Sequence, residues 1–256
     1  MKNYSFLIVA SLIFTTTAWA QLQEPEFLKP YNERKEKLKK LPAKPFEPTL
    51  FCSQMKAMID LAPGADRQDL NLKPDRIVIS KSRKKLYLMS NRQLISTYDV
   101  AFGFGFLEGA KAQQADGRTP EGIYQIDFKN SKSNYTKALH VSYPEERDEK
   151  FAAANGVEPG GSIMIHGFPR KEIDGLDPVY IPQIHPNVNW TQGCMAVTNT
   201  EISEIFEMVD EGITVEICPG TEEAEVSETV APLIEATTQS PSFEESLQLD
   251  LNPGGL

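Results

Sequence analysis

The chain of 256 residues has only three cysteines, three histidines, and no lysine or arginine after Lys171. Each scarcity excludes something. Three cysteines are too few for a disulfide-built scaffold, and no cysteine or histidine pair shows the tight spacing of a zinc motif, so no metal site is expected. A net charge of −10 without a clustered basic face argues against a nucleic-acid partner. Long apolar runs are missing too. The run from Phe6 to Phe14 falls well short of the roughly 20 apolar residues needed to span a bilayer.

That run lies within MKNYSFLIVASLIFTTTAWA, which has Lys2 near its start and the small-x-small signature Ala18-Trp19-Ala20. Residues 1–20 read as a secretory signal peptide, with an uncleaved anchor as the alternative. The expected location is outside the cytoplasm, in the periplasm or cell envelope, with no membrane span left after cleavage. No cysteine follows the cleavage point, which argues against lipid attachment.

Charge is unevenly distributed. Residues 172–256 carry 17 acidic side chains and no basic ones, while residues 1–171 sum to +7. Beyond Cys218 the composition turns to Glu, Thr, Ser and Pro, which buries too little surface to offset ordering, so residues 220–256 read as an acidic disordered tail. At the other end, residues 21–73 read as a proline-rich arm with short helices. Within it FCSQMKAMIDL, residues 51–61, has apolar residues at helical spacing before Pro63-Gly64.

From Arg76 the period changes. RIVIS, KLYLMS, QLISTYDVAFG, EGIYQIDFK, LHVSY and SIMIHG are short β-branched and aromatic runs, with Asn91-Arg92 as a hairpin turn between two of them. A helix is expected from about Thr200 to Val209, followed by a closing strand ITVEI, residues 213–217. Residues 74–219 therefore read as one mostly β domain with one or two helices, an α+β arrangement.

Candidate chemistry centres on WTQGCMAV, residues 190–197. Cys194 is a nucleophile, half of a disulfide, or a small core residue. A catalytic cysteine needs a histidine to produce its thiolate. His166 ends the apolar run SIMI and is followed by Gly167, a good place for a base at a rim. His140, inside a strand, reads as a core histidine, with a supporting role behind the site as the alternative, and His185, in PQIHPN, reads as a solvated one. Gly193 lets the backbone approach a carbonyl, so the amides of Gly193 and Cys194 are candidate oxyanion donors. The histidine precedes the cysteine, the reverse of papain-like and NlpC-type peptidases. Sortases share the order here but need an arginine after the cysteine, and none exists.

The set IMIHG, WTQGCMAVTN and GITVEI, preceded by KSRKKLYLM, YDVAFGFG, DGRTPEGIYQI, LHVSYP and GVEPGGSIMIHG, resembles the YkuD-type L,D-transpeptidases over roughly residues 74–218. The resemblance implies a YkuD-like β-sandwich or barrel catalytic domain and a cysteine acyl-enzyme formed with a peptidoglycan stem tetrapeptide. Transfer to an amine then gives a 3-3 crosslink or a tethered protein. Cys194 would be the nucleophile and His166 the base, with no cofactor required.

Two positions depart from the family's commonest pattern: Gln192 replaces the histidine before Gly-Cys, and Ala196 replaces an arginine two residues after the cysteine. Arg118, in DGRTPEG, is the nearest candidate substitute for a substrate grip, with a plain turn as the alternative. Thr191, Gln192, Gly167 and Asn199 are candidates for substrate contact or support, although Thr198 and Asn199 equally suit a helix cap. Cys52 and Cys218 flank the domain and are expected to pair in a disulfide. Hydrolysis by the same Cys/His site, giving an L,D-carboxypeptidase or endopeptidase, and a non-catalytic wall-binding module are the competing readings.

Overall fold

The computed structural model describes Lys44, Cys52 and residues 72–220 apart from Asp174. The signal peptide, most of the arm with its 51–61 helix, and the tail from residue 221 lie outside the described residues.

Eight strands form one mixed sheet in the order β3-β2-β1-β8-β4-β5-β6-β7, curved into a half-barrel. They are β1 (Arg76–Ser80), β2 (Lys85–Ser90), β3 (Gln93–Asp99), β4 (Gly122–Asn130), β5 (Ala138–Val141), β6 (Met164–His166), β7 (Met195–Ala196) and β8 (Thr214–Cys218). β1 runs parallel to β8, and β6 runs parallel to β7. The remaining neighbours are antiparallel.

Local sequence accounts for these pairings. Asn91 and Arg92 both take positive φ, 47° and 68°, the left-handed pair of a tight turn whose twist matches the flanking strands. In β4 the burial alternates: Tyr124 and Ile126 face the core, while Ile123 and Gln125 face outward. β1 and β2 are apolar on both faces instead. Ile77, Ile79, Leu86 and Leu88 enter the main core, while Val78, Tyr87 and Met89 pack with Cys218 on the opposite face. Burial on both sides is what a near-continuous apolar strand requires.

Among residues 72–220 the α-helices are α1 (Glu146–Ala154), α2 (Ile181–Ile184) and α3 (Asn199–Met208). α3 has a full capping box: the Glu201 amide donates to Thr198 Oγ1 at 3.3 Å, and the Thr198 amide donates to Glu201 Oε2 at 2.7 Å. Its Ile202 and Ile205 are fully buried. α1 is different in kind, because only Asp148 and Ala152 of its nine residues are buried. Polar contacts hold it, with Asp148 accepting from Tyr124 Oη at 3.3 Å and pairing with Lys44.

Cys52 is bonded to Cys218, the last residue of β8, with their Cα atoms 5.5 Å apart. The Cys52 amide donates to Glu216 Oε1 at 3.0 Å, and Arg76 Nη1 donates to Glu216 Oε2 at 3.1 Å. Both oxygens of this fully buried carboxylate are thereby satisfied. Burial still pushes the Glu216 pKa up, against the opposing pull of the Cys52 amide and Arg76.

Candidate active site

The parallel pairing of β6 with β7 brings the two candidate chemical groups together. Ile165 is in register with Met195 and His166 with Ala196, so the end of β6 lies beside the turn carrying Cys194. A strap, residues 101–104, pins that turn from its other side. Ala101 and Ala196 exchange backbone hydrogen bonds of 3.0 and 2.8 Å, the Thr191 amide donates to Phe102 O at 3.1 Å, and the Phe104 amide donates to Thr191 O at 3.1 Å.

Inside the turn, Thr191 Oγ1 accepts from the Gly193 amide at 3.2 Å and donates to Cys194 O at 2.7 Å. The Gly193 amide, expected to be an oxyanion donor, is therefore committed to a neighbouring hydroxyl. The Cys194 amide is not engaged by that hydroxyl. Gly193 has φ +129°, and a Cβ there would sit 2.7 Å from Arg118 O, so both conformation and contact require glycine.

Cys194 is partly exposed, with Sγ donating to Ser162 O at 3.5 Å. Burial of the sulfur pushes the thiol pKa up, while the Met164 amide and the Lys111 charge pull it down. His166 is buried, and its Nδ1 lies 2.7 Å from Gly167 O. Nδ1 must carry the proton to donate there, which leaves Nε2 with a free lone pair. Desolvation lowers the His166 pKa to about 4, so the ring is neutral near pH 7. Tyr135 and Trp190 fix the ring, with centroids 4.5 and 5.7 Å from it.

Cys194 and His166 line one cleft of about 420 Å³. Thr191 and Gln192 line it as well, together with Asn130, Ser133, Asn134 and Tyr135 on one side and Leu176 and Trp190 on another. Asn199 stands behind it: its Oδ1 accepts from the Phe168 amide at 2.8 Å and from Thr136 Oγ1 at 2.9 Å, holding the chain just after Gly167. Gly167 is packed so closely that an added Cβ would fall 2.7 Å from that same oxygen.

Other sequence candidates lie elsewhere. Arg118 is not part of the cleft lining; its Nη2 is 3.5 Å from Glu108. What its loop contributes is structural. Asp116, buried beside Lys111 at 2.9 Å, also accepts from the amides of Ala112, Gln113 and Arg118 at 2.8, 3.0 and 3.0 Å. His140 pairs with Asp127 at 2.6 Å, outside the cleft.

His185 is not solvated. Both ring nitrogens are buried, the ring packs on Phe168 at 5.1 Å, and desolvation lowers its pKa to about 4. The long segment between Gly167 and Trp190 explains this, because it folds into an apolar satellite of Phe168, Leu176, Ile181 and Trp190. Asp116 matches the plain-turn reading of DGRTPEG, held by local hydrogen bonds, while Tyr135, Trp190 and Lys111 were missed at the sequence level. Of these, Trp190 alone carried a signal, being adjacent to the Thr-Gln-Gly-Cys run. Among the described residues, the group able to share a metal is Cys52, Glu216 and Cys218, with ligand atoms within 4.8 Å, and its two sulfurs are bonded to each other.

The model of the L,D-transpeptidase catalytic domain, YkuD, matches residues 74–217. This chain belongs to the YkuD family. YafK of Escherichia coli K12, provisionally named an L,D-transpeptidase, is 33% identical over 149 residues, covering 56% of this chain and 50% of that protein. The chain thus matches about half the length of this curated relative. Among solved structures, the helical cell shape determining protein Pgp2 of Campylobacter jejuni is 19% identical with a TM-score of 0.42, over 67% of this chain and 57% of that one. Bd1075 of Bdellovibrio bacteriovorus is 20% identical with a TM-score of 0.42, over the same shares. No helix among the described residues is long and apolar enough to cross a membrane.

Proposed function

We propose that this protein is a cysteine-dependent L,D-transpeptidase of exported location that acts on peptidoglycan stem peptides. The observation that carries the reading is the shared cleft: Cys194 and His166, delivered by separate segments through the β6–β7 register, line one cavity of about 420 Å³.

The protonation states favour general-base chemistry over a resting ion pair. With the thiol pKa raised and the imidazole pKa near 4, the resting pair is neutral thiol and neutral imidazole. As Sγ attacks the carbonyl of the L,D peptide bond, its proton passes to His166 Nε2. Collapse of the tetrahedral adduct breaks the C–N bond, and the leaving amine takes that proton. An acceptor amine then attacks the thioester, gives its proton to His166, and the thiol is restored when His166 returns it. The Cys194 amide, which Thr191 Oγ1 does not engage, serves as oxyanion donor, and the Gly193 amide joins if it exchanges Thr191 Oγ1 for the developing charge.

Intact-mass measurement after incubation with a stem tetrapeptide tests this. A stoichiometric acyl adduct is expected on wild type and not on Cys194→Ala. Wild type that stays unmodified while its thiol still reacts with iodoacetamide would sink the reading. Muropeptide products then identify the acceptor: new dimers mean an amine, and loss of existing crosslinks means water.

A further inference from the structure

Among the described residues, the cleft around Cys194 has no charged wall. Among the described residues its lining is carboxamide, hydroxyl, aromatic and aliphatic, together with a neutral His166. A peptide acyl donor bears carboxylates, which meet no cation inside this cavity. Arg118 is turned toward Glu108 and lies outside the lining.

An arginine stands at the rim instead. The Arg170 backbone N–H donates to Asn134 O at 2.8 Å, and its Nη2 donates to Thr136 O at 2.7 Å. These acceptors flank Tyr135, and Asn134 and Tyr135 both line the cleft. The rim is stiff at this point. The Gly167 amide donates to Tyr135 O at 3.1 Å, Thr136 Oγ1 lies 3.1 Å from Phe168 O, and Asn199 ties Thr136 to Phe168.

Arg170 is exposed, and no carboxylate among the described residues pairs with it. A guanidinium has five N–H donors in a planar fork, and the bond to Thr136 uses only part of it. A fork anchored at one edge and open at the other binds a carboxylate with little additional ordering. We infer that Arg170 is a specificity residue of the proposed reaction, gripping a carboxylate of the acyl donor at the rim of a cleft that has no cation of its own. The inference rests on the reading of Cys194 as the residue acylated by a peptide. Lys132, also exposed and between the lining residues Asn130 and Ser133, is the natural rival, but no bond among the described residues fixes its ammonium near the cleft.

Two synthetic tetrapeptides separate the cases, one with free carboxylates and one with every carboxyl converted to carboxamide. Acylation of Cys194 is followed by intact mass across a concentration series. Wild type should favour the free peptide by about tenfold to a hundredfold, through half-saturating concentration more than maximal rate, as expected for a charge-assisted pair. Arg170→Gln should lose the preference, Arg170→Lys should keep part of it, and Lys132→Gln should keep all of it. Iodoacetamide labelling of Cys194 should be equal in all four proteins, which shows an intact site. Retention of the preference in Arg170→Gln, its loss in Lys132→Gln, or an equal drop on both peptides overturns the inference. Wild type inert toward both peptides yet normally labelled by iodoacetamide sinks the transpeptidase reading instead, and the role of Arg170 with it.

Discussion

His166 gives its Nδ1 proton to the carbonyl of its own neighbour, Gly167, at 2.7 Å. A backbone carbonyl holds the tautomer as a carboxylate would, but adds no full charge to stabilise an imidazolium. Burial keeps the ring neutral far below the usual histidine range, and the pull of the Gly167 carbonyl in the other direction is too weak to restore it, so the ring is poised to accept a proton rather than to lend a positive charge.

Acylation should consequently depend on pH in a specific way. The rate is expected to be lost only as pH falls toward about 4, where His166 protonates. Alkylation of Cys194 by iodoacetamide should rise with an inflection above the ordinary thiol value of about 8.5, since burial raises that pKa. A flat alkylation profile from pH 6 to 8, the signature of a resting thiolate, would contradict this assignment.

Stability should follow the same histidines. His166 and His185 both have pKa values lowered from 6.5 to about 4 in the folded protein. Between those values the unfolded chain binds more protons than the folded one. Stability is therefore full above about pH 6.5 and declines as pH falls toward 4. Melting temperature against pH should decline less steeply in His185→Phe than in wild type.

Gly193→Ala should fail for two reasons that add. The φ of +129° is strained for any residue with a Cβ, and that Cβ would meet Arg118 O at 2.7 Å. A destabilisation of about 1–3 kcal/mol is expected from the backbone alone. Thermal melts should register it, and acylation should drop by more than the unfolded fraction explains, because the turn aims Cys194.

Asp116→Ala should be among the most damaging changes outside the cleft. It leaves the buried Lys111 ammonium without its carboxylate and strands three backbone amides. Breaking a buried pair in this way costs about 3–5 kcal/mol. Denaturant titration should show the loss, and Asp116→Asn should recover some of it by keeping acceptors for the amides.

Replacing Cys52 and Cys218 together by serine should lower stability by about 2–5 kcal/mol, given that the bond closes a loop of 166 residues. Labelling of Cys194 should be unaffected in the folded fraction. A non-reduced peptide map in which Cys52 or Cys218 alkylates as freely as Cys194 would remove the premise.

Much of the fold is legible in the sequence. Alternating or doubly apolar runs named the strands, and Thr198 and Asn199, as cap candidates, announced the start of α3. α1 was invisible because EERDEKFAAA has almost no apolar face; its helix depends on capping and on Asp148 reaching Tyr124 and Lys44, contacts distant in sequence. His185 was misread because a proline-flanked histidine looks exposed locally, and its cover, Phe168, lies seventeen residues earlier. The bond from the Gly193 amide to the Thr191 hydroxyl was not foreseen, because the two meet only once the turn is folded.

The bond between Cys52 and Cys218 also has a mechanical consequence. Chain preceding Cys52 and chain following Cys218 are joined covalently at one point, on the last residue of β8. Tension applied between those two flanking segments passes through sulfur, and the hydrogen bonds joining β1 to β8 do not bear it. The sheet that aligns His166 with Cys194 is in this respect shielded from any pull on the ends of the protein.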